Sequence, residues 1–438
     1  TTVKVDNKWP GDMNADITDV LITGTTIPGP TLTVESGKTL IVHGSGTLSG
    51  VGRRDVTPFF IVKDGGHLVL DQVTISGNKS DSGTVVVEKG GLLDLGYNDQ
   101  KQRMAPSITG NTTAANAAKN LVIADGATVR LNAAATEKIG ISYGADIRKT
   151  NPKALIEGGR YTLQESDATN VTVDDSNTKL TLKNDMFVLS GAKPRVLCWY
   201  PTDSFAWSQG NYSNLLPYYP NGQNLFVTAG AETTTLVGQR YQRKSFLNVA
   251  EIGTNLKQFD FIYIIPGINS DETFDKNDVS ATYTEAEKAA LLDYLDYGGR
   301  IFIQCENPGF ATINQSGSAL AQALGADFTV TTDKDNWQMR FTAVCGDSPL
   351  TKNISRFDVL FASPITTNDS NAVAIFKRES SGVPFCYDLT AGSVKGGLPW
   401  GNITVLSDIN LWDTTPEKTV RNIFTKNLLA STMDNRIT

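Results

Sequence analysis

Between residues 31 and 190 one phrase recurs: "LTVESGKTLIVHG", "FIVKDGGHLVLDQVTISG", "VVVEKGGLLDLG", "LVIADGATVRLNA", "ALIEGGRYTLQ" and "VTVDDSNTKLTLKN". Each pairs a short β-branched strand with a second alternating strand across a charged residue and a Gly or Asn. Apolar positions at period two turn one face of every strand inward, and the Gly gives the backbone freedom for a sharp corner. Gly37, Gly65, Gly90, Gly126 and Gly158 stand 28, 25, 36 and 32 residues apart. A loose period of that size, with strands and almost no helical pattern, predicts a coiled β-solenoid whose turns stack over a continuous core. "YNDQKQRMAPSITGNTTAANAAKN" then reads as an insertion on one side. An antiparallel sandwich is the rival, but it calls for hairpin signals such as Asn-Gly, which the repeats lack.

At "GAKPRVLCWYP" the texture changes, and a chain of 438 residues is long enough for a second core. "RVLCWY" (195–200) and "FDFIYIIPG" (259–267) are unbroken apolar strands, as expected where a parallel sheet is covered on both faces. "TEAEKAALLDYLDYGG" (284–299) predicts a helix. Thr284 is its N-cap, Glu287 closes a capping box, Ala289, Leu292 and Leu295 lie at helical spacing, and Gly298-Gly299 is the stop. "RIFIQC" follows, completing a βαβ crossover. "ALAQALGADF" adds a helix ended by Gly325. "AVAIFKRESSGVPFCYDL" reads as a strand pair, "NITVLSDINLWD" as a late strand and "EKTVRNIFTKNLLAST" as a closing helix. The expected division is residues 1–190 and 191–438.

On these phrases, "GGHLVLDQVTISGN" above all, the first half resembles the right-handed parallel β-helix modules of bacterial surface proteins, the fold shared with pectate-lyase-like enzymes. Through "FDFIYIIPG", the helix ending in Gly-Gly, "RIFIQCENPG" and "ITVLSDINLWD", residues 193–432 resemble the class I glutamine-amidotransferase-like fold, including exported relatives without glutaminase activity. The expected architecture is therefore a right-handed parallel β-helix followed by a flavodoxin-like, amidotransferase-like α/β sandwich. In active members of the second family the strand after the helix delivers a Cys on a tight elbow flanked by glycines, and a later His-Glu pair activates it. Cys305 matches the elbow, but Ile303 and Asn307 stand where the glycines would be.

A catalytic Cys needs a base to form thiolate and an acid for the leaving group, and His serves both near neutral pH. The chain has two, His43 and His67, both in the repeat half. Cys305 is thus expected to do no chemistry, and no catalytic residue is assigned. The loops beyond the carboxyl ends of the strands still make a candidate cleft. The expected ligand-binding set is Trp207, Tyr212, Cys305, Glu306, Asn307, Asp408, Asn410 and Trp412, since aromatic faces stack on sugars while carboxylates and amides take hydroxyls.

Other constellations are thinner. Arg53, Arg54 and Asp55 of "GRRDVTP", with Asp71, supply the bases and acids a polysaccharide lyase would use, but read first as residues on a loop between coils. Asp271, Glu272, Asp275, Asn277 and Asp278 could hold Ca²⁺, yet lack the spacing and Gly of a calcium loop, so no cofactor is expected. Cys198, Cys305, Cys345 and Cys386 form no close-spaced metal pattern.

A formal charge of -7 argues against nucleic acid as a partner, and no run of about 18 apolar residues could span a bilayer. The reading is a non-catalytic bacterial protein, secreted or at the cell surface, with a structural or adhesive role and a glycan or another surface protein as partner. The alternative is a carbohydrate-active enzyme, a lyase or glycoside hydrolase using the β-helix face or acids such as Glu306 and Asp408.

Overall fold

Glycine fixes the corners of the first half. A computed structural model of the chain describes residues 3–10, 17–96, 104–147, 152–201, 224–238, 243–266, 282–333, 337, 339–390, 401–412 and 418–433. Gly37, Gly65, Gly90 and Gly126 all take φ between +71° and +78°. Their backbones form a column, Gly37 N–H donating to Gly65 O, Gly65 to Gly90 and Gly90 to Gly126, at 2.9–3.0 Å. At Gly90 a Cβ would fall 1.9 Å from Asp64 Oδ1, so only glycine fits.

The chain divides into residues 1–192 and 193–437. In the first unit the strands form two large sheets. One runs Val3–Asp6, Ile17–Leu21, Thr39–His43, His67–Asp71, Leu92–Leu95, Thr128–Leu131, Lys153–Gly158, Met186–Gly191, Thr178–Lys183. The other runs Thr25–Thr26, Thr47–Ser49, Thr74–Ser76, Ser107–Ile108, Ile139–Tyr143, then back through Leu121–Ile123, Val85–Val87 and Phe60–Val62 to Leu32–Val34, with Val171–Val173 also on Ile139–Tyr143. The alternation read from sequence sets the core between them: Leu40, Leu68, Leu93 and Val129 occupy one register row and Val42, Leu70, Leu95 and Leu131 another, all buried.

This corrects the expected right-handed parallel β-helix. The second sheet is a parallel half-barrel, because Ile139–Tyr143 is long enough to pair with two earlier strands, through Ile139 to Ile108 and through Ile141–Tyr143 to Leu121–Ile123. The first sheet ends antiparallel. Asn184 and Asp185 take φ of 49° and 60°, the two left-handed positions of a primed hairpin turn, and fold Met186–Gly191 back on Thr178–Lys183. Asn-Asp supplies the hairpin signal that a search for Asn-Gly passes over.

In the second unit a nine-stranded mixed sheet runs Glu232–Val237, Arg195–Tyr200, Phe261–Ile264, Arg300–Gln304, Asn402–Leu406, Pro384–Thr390, Val373–Arg378, Phe341–Cys345, Phe357–Val359. The first five are parallel and the rest antiparallel. The flavodoxin-like sandwich is corrected accordingly, to a mixed α/β sheet whose antiparallel half begins where Pro384–Thr390 pairs with Asn402–Leu406. Successive residues of Arg195–Tyr200 face opposite cores. Val196, Cys198 and Tyr200 pack with Phe424 and Leu428 of helix Lys418–Met433, whereas Leu197 and Trp199 pack with Leu291 and Leu295 of helix Glu285–Asp296.

Helix Glu285–Asp296 has the capping box its sequence spells, Thr284 Oγ1 accepting from Glu287 N and Glu287 Oε2 from Thr284 N. Its buried face is Glu287, Ala290, Leu291, Tyr294 and Leu295 rather than the Ala289/Leu292/Leu295 stripe. Glu287 can face inward because Arg243 donates to both its carboxylate oxygens. No helix among the described residues is long and apolar enough to cross a membrane.

Candidate functional site

The carboxyl end of the α/β sheet places Cys305, Glu306, Asn307, Asp408 and Trp412 near one another, but packs them inward. Cys305, Glu306, Asp408 and Trp412 are at most 1% exposed. Cys305 N–H still pairs with Leu406 O at 2.7 Å and its φ stays negative, so the strand runs on through the thiol instead of turning at it. Helix Ala311–Ala323 closes over it at Gly317, where a Cβ would lie 2.2 Å from Cys305 Sγ. Burial, and then the charge of Glu306, push the thiol well above its ordinary ionisation range.

The neighbours hold one another. Glu306 Oε1 accepts from Asn307 N and Nδ2, both at 2.8 Å. Asn314 Oδ1 takes Glu306 N at 2.9 Å, and Ser363 Oγ donates to Glu306 O. Trp412 Nε1 donates to Gln304 Oε1 at 2.6 Å, an oxygen that also accepts from Tyr263 OH. The ring of Trp412 lies at 24° to that of Phe424. Trp412 was expected to face a ligand and instead anchors a core. Trp207, Tyr212 and the acidic stretch at Asp271, Glu272, Asp275, Asn277 and Asp278 lie outside the described residues, and of Asn410 only the backbone is described.

The lyase-like group does not assemble. The Arg53 guanidinium donates to the carbonyls of Pro28, Gly29, Asp55 and Thr57 and to Asn78 Oδ1, and lies 5.2 Å over the Phe59 ring. Asp71 is buried and accepts from Met104 N. Arg53 is thus a clamp between loops.

Both histidines lie on the outward face of the first sheet of the first unit, each against an aspartate. His43 Nε2 is 2.8 Å from Asp19 Oδ1, and His67 Nε2 is 2.7 Å from Asp94 Oδ2. Asp94 also takes two bonds from Arg130, each 2.8 Å, and one from Asn132 Nδ2 at 2.9 Å. Burial pushes the Asp94 carboxyl up, but the bonds from His67, Arg130 and Asn132 outweigh it and hold the group at about 2. Three adjacent strands, His67–Asp71, Leu92–Leu95 and Thr128–Leu131, are stitched together by this group. Among the described residues no cluster of His, Cys, Asp and Glu could hold a metal ion.

An open site lies elsewhere in the first unit. A cleft of about 620 Å³ is lined by Lys119, Ser142, Tyr143, Asp146, Asp174, Asp175 and neighbouring residues. Pairing of Ile139–Tyr143 with Val171–Val173 brings the turns that follow them, at 144–147 and 174–177, to the same edge. Asp174 ties these turns to a third: Oδ1 accepts from Asn120 Nδ2 at 2.6 Å, and Oδ2 from Asn120 N and Ser142 Oγ at 2.8 Å. Asp146 and Asp175 are exposed. Tyr143 is half-buried, and burial, followed by the charge of and a hydrogen bond with Asp125, pushes its hydroxyl up to about 12. With its hydroxyl engaged there, the ring offers the cleft an apolar surface. Sequence reading missed this site, although the Asp-Asp of "VTVDDSN" and the Tyr and Asp of "ISYGAD" were its signal.

No protein-family model matches the chain, and no curated protein matches it either. Among solved structures it is similar to the mmIFT52 N-terminal domain, at 11% identity and a TM-score of 0.35, over 56% of this chain and 99% of that one. It is also similar to a putative ThuA-like protein from Bacteroides uniformis ATCC 8492, at 11% identity and a TM-score of 0.33, over 56% and 95% of the two chains. An exo-β-1,4-mannosidase, Op5Man5 from Opitutaceae bacterium strain TAV5, matches at 11% identity and a TM-score of 0.29, over 56% and 36%. At that degree of likeness no activity carries over.

Proposed function

We propose that this chain is a non-catalytic glycan-binding protein of the bacterial cell surface, and that the cleft of the first unit is its binding site. The observation that carries the reading is the cleft's lining: the apolar surface of Tyr143 beside the Ser142 hydroxyl, the exposed Asp146 and Asp175 carboxylates and the Lys119 ammonium. Sugars present flat C–H faces ringed by hydroxyls, and a half-buried aromatic next to short polar side chains complements both. Its volume of about 620 Å³ falls in the range of small-molecule sites. The α/β unit supports the non-catalytic reading, since its nucleophile-like thiol is sealed and its nearby acid is committed to backbone and amide donors.

A second reading has one observation on its side. Asp146 and Asp175 line the same cleft, and glycosidic cleavage uses a pair of carboxylates about 5 to 10 Å apart. A glycan array probed with the whole chain and with Tyr143→Ala, each bound glycan being checked for cleavage, separates the readings. Binding without products, lost in Tyr143→Ala, is the expected result. Products that vanish in Asp146→Asn would establish an enzyme. Retention of no glycan, or binding indifferent to Tyr143→Ala, would refute the assignment to this cleft.

A further inference from the structure

We infer that Asn120, a buried residue outside the cleft's lining, is the positioning residue that gives the cleft its shape, so that glycan affinity is set in part from behind the wall; this rests on the glycan-binding reading above. Asn120 is 4% exposed and stands between Lys119 of the lining and strand Leu121–Ile123. Its backbone N and its Nδ2 donate to the two oxygens of Asp174, at 2.8 and 2.6 Å, across 54 residues of sequence. Asp174 Oδ2 also takes Ser142 Oγ at 2.8 Å, and Asp174 N donates to Ile141 O. Three turns of the cleft therefore meet at one carboxylate, and Asn120 makes two of the bonds that hold them.

Direction and space both fix this contact. Asn120 Oδ1 accepts from Asn111 N at 3.0 Å and Asn111 Nδ2 at 2.9 Å, and Asn111 Oδ1 in turn accepts from Asn78 N at 3.1 Å. With its oxygen taken by donors, the Asn120 amide has one orientation, Nδ2 toward the carboxylate. Every donor of this ladder is aimed the same way, and hydrogen bonds so aligned strengthen one another. A Cβ at Gly140 would fall 2.5 Å from Asn120 Nδ2 and 2.5 Å from Asp174 Oδ1, so strand Ile139–Tyr143 keeps a glycine where the pair crosses it. Gly140 does not take a left-handed φ; the strand needs room there, not backbone freedom. Asn78 is the internal comparison. It is 1% exposed and on the same ladder, but its side chain bonds Thr57 O and Arg53 instead of any turn of the cleft.

The test runs Asn120→Ala, Gly140→Ala and Asn78→Ala beside the unsubstituted chain on the glycan array, over a range of protein concentrations, with urea unfolding of each. All three variants should lose stability, but only the first two should lose affinity. Their half-saturating concentration should rise about tenfold on every glycan the unsubstituted chain retains, since turns no longer fixed must be ordered on binding. Hydrogen exchange without glycan reads the same cause. The Asp174 and Gly144 amides, which donate to Ile141 O and Ile123 O, should exchange faster in Asn120→Ala and Gly140→Ala and at the same rate in Asn78→Ala. Gly140→Ala adds one methyl and removes no donor, so it carries the comparison should Asn120→Ala not fold. Affinity that tracks the urea midpoint through all three variants, or that is unchanged in Asn120→Ala and Gly140→Ala, overturns the inference while the glycan-binding reading stands. An empty array overturns both.

Discussion

Asp94 offers the sharpest quantitative test, because its ionisation is tied to named partners. A carboxyl that ionises at about 2 in the folded chain and at its ordinary 3.8 when unfolded contributes about 2.4 kcal/mol of stability near neutral pH. The Arg130 side chain is 36% exposed, and solvent screening of that partner reduces the usable figure to about 1–2 kcal/mol. The folded value is the depressed one, so this stabilisation is fully present above about pH 4 and drains away as the pH falls toward 2. Of the unscreened 2.4 kcal/mol, about 1.3 remains at pH 3 and about 0.4 at pH 2. Asp94→Asn should therefore destabilise the first unit by about 1–2 kcal/mol at pH 6, by roughly half of that at pH 3 and by almost nothing at pH 2. Native-state hydrogen exchange of amides in His67–Asp71, Leu92–Leu95 and Thr128–Leu131 reads this locally, without interference from the second unit. A deficit that stays constant from pH 6 to pH 3 would refute the argument, since it would mean the aspartate acts by packing and not by charge.

Three further outcomes follow from the packing. Glu287→Gln leaves the Arg243 guanidinium without its charge partner and should cost about 3 kcal/mol, read as a fall in urea midpoint of the second unit. Gly90→Ala must place a Cβ at a φ of +78° against Asp64, and should lower the urea stability of the first unit by more than about 1 kcal/mol, whereas Gly52→Ala, with nothing within 4 Å, should cost only the backbone strain. Iodoacetamide applied to the native chain at pH 8 should label Cys345 first, slowly, because that thiol is half-buried and burial pushes it up to about 11. Cys198, Cys305 and Cys386 should react only on unfolding, and mass-spectrometric detection of native Cys305 adduct would contradict its burial.

How much of this was legible in the residues depends on the range of the interaction. Thr284 and Glu287 act three positions apart, Gly298 acts just past the last turn, and the helix they delimit was readable. Gly37, Gly65, Gly90 and Gly126 likewise marked real corners. Gly158 did not, since it ends Lys153–Gly158, where the antiparallel part of the sheet begins. What the repeat could not carry was sheet membership. The reach of Ile139–Tyr143 across two earlier strands depends on register, which local periodicity leaves open. The cleft was hidden for the same reason, because Tyr143 and Asp174 meet only through the Ile139–Val171 pairing. At the other end of the chain, "SDINLWD" is an aromatic among acids and amides. That composition fits a ligand cleft or a hydrogen-bonded core equally well, and Trp412 chose the core.

The hairpin that ends the first unit also bears on how many molecules can share a test tube. A sheet that stops leaves a row of unpaired backbone groups, and such a row templates strands from other molecules. Thr178–Lys183 is that last strand, and it carries lysines at 179 and 183. If two copies met there antiparallel in the register centred on Thr181, Lys179 of each would face Lys183 of the other, so that pairing starts with two repulsions. Concentrated protein is thereby kept dispersed, and a change of both lysines to valine would trade that for turbidity.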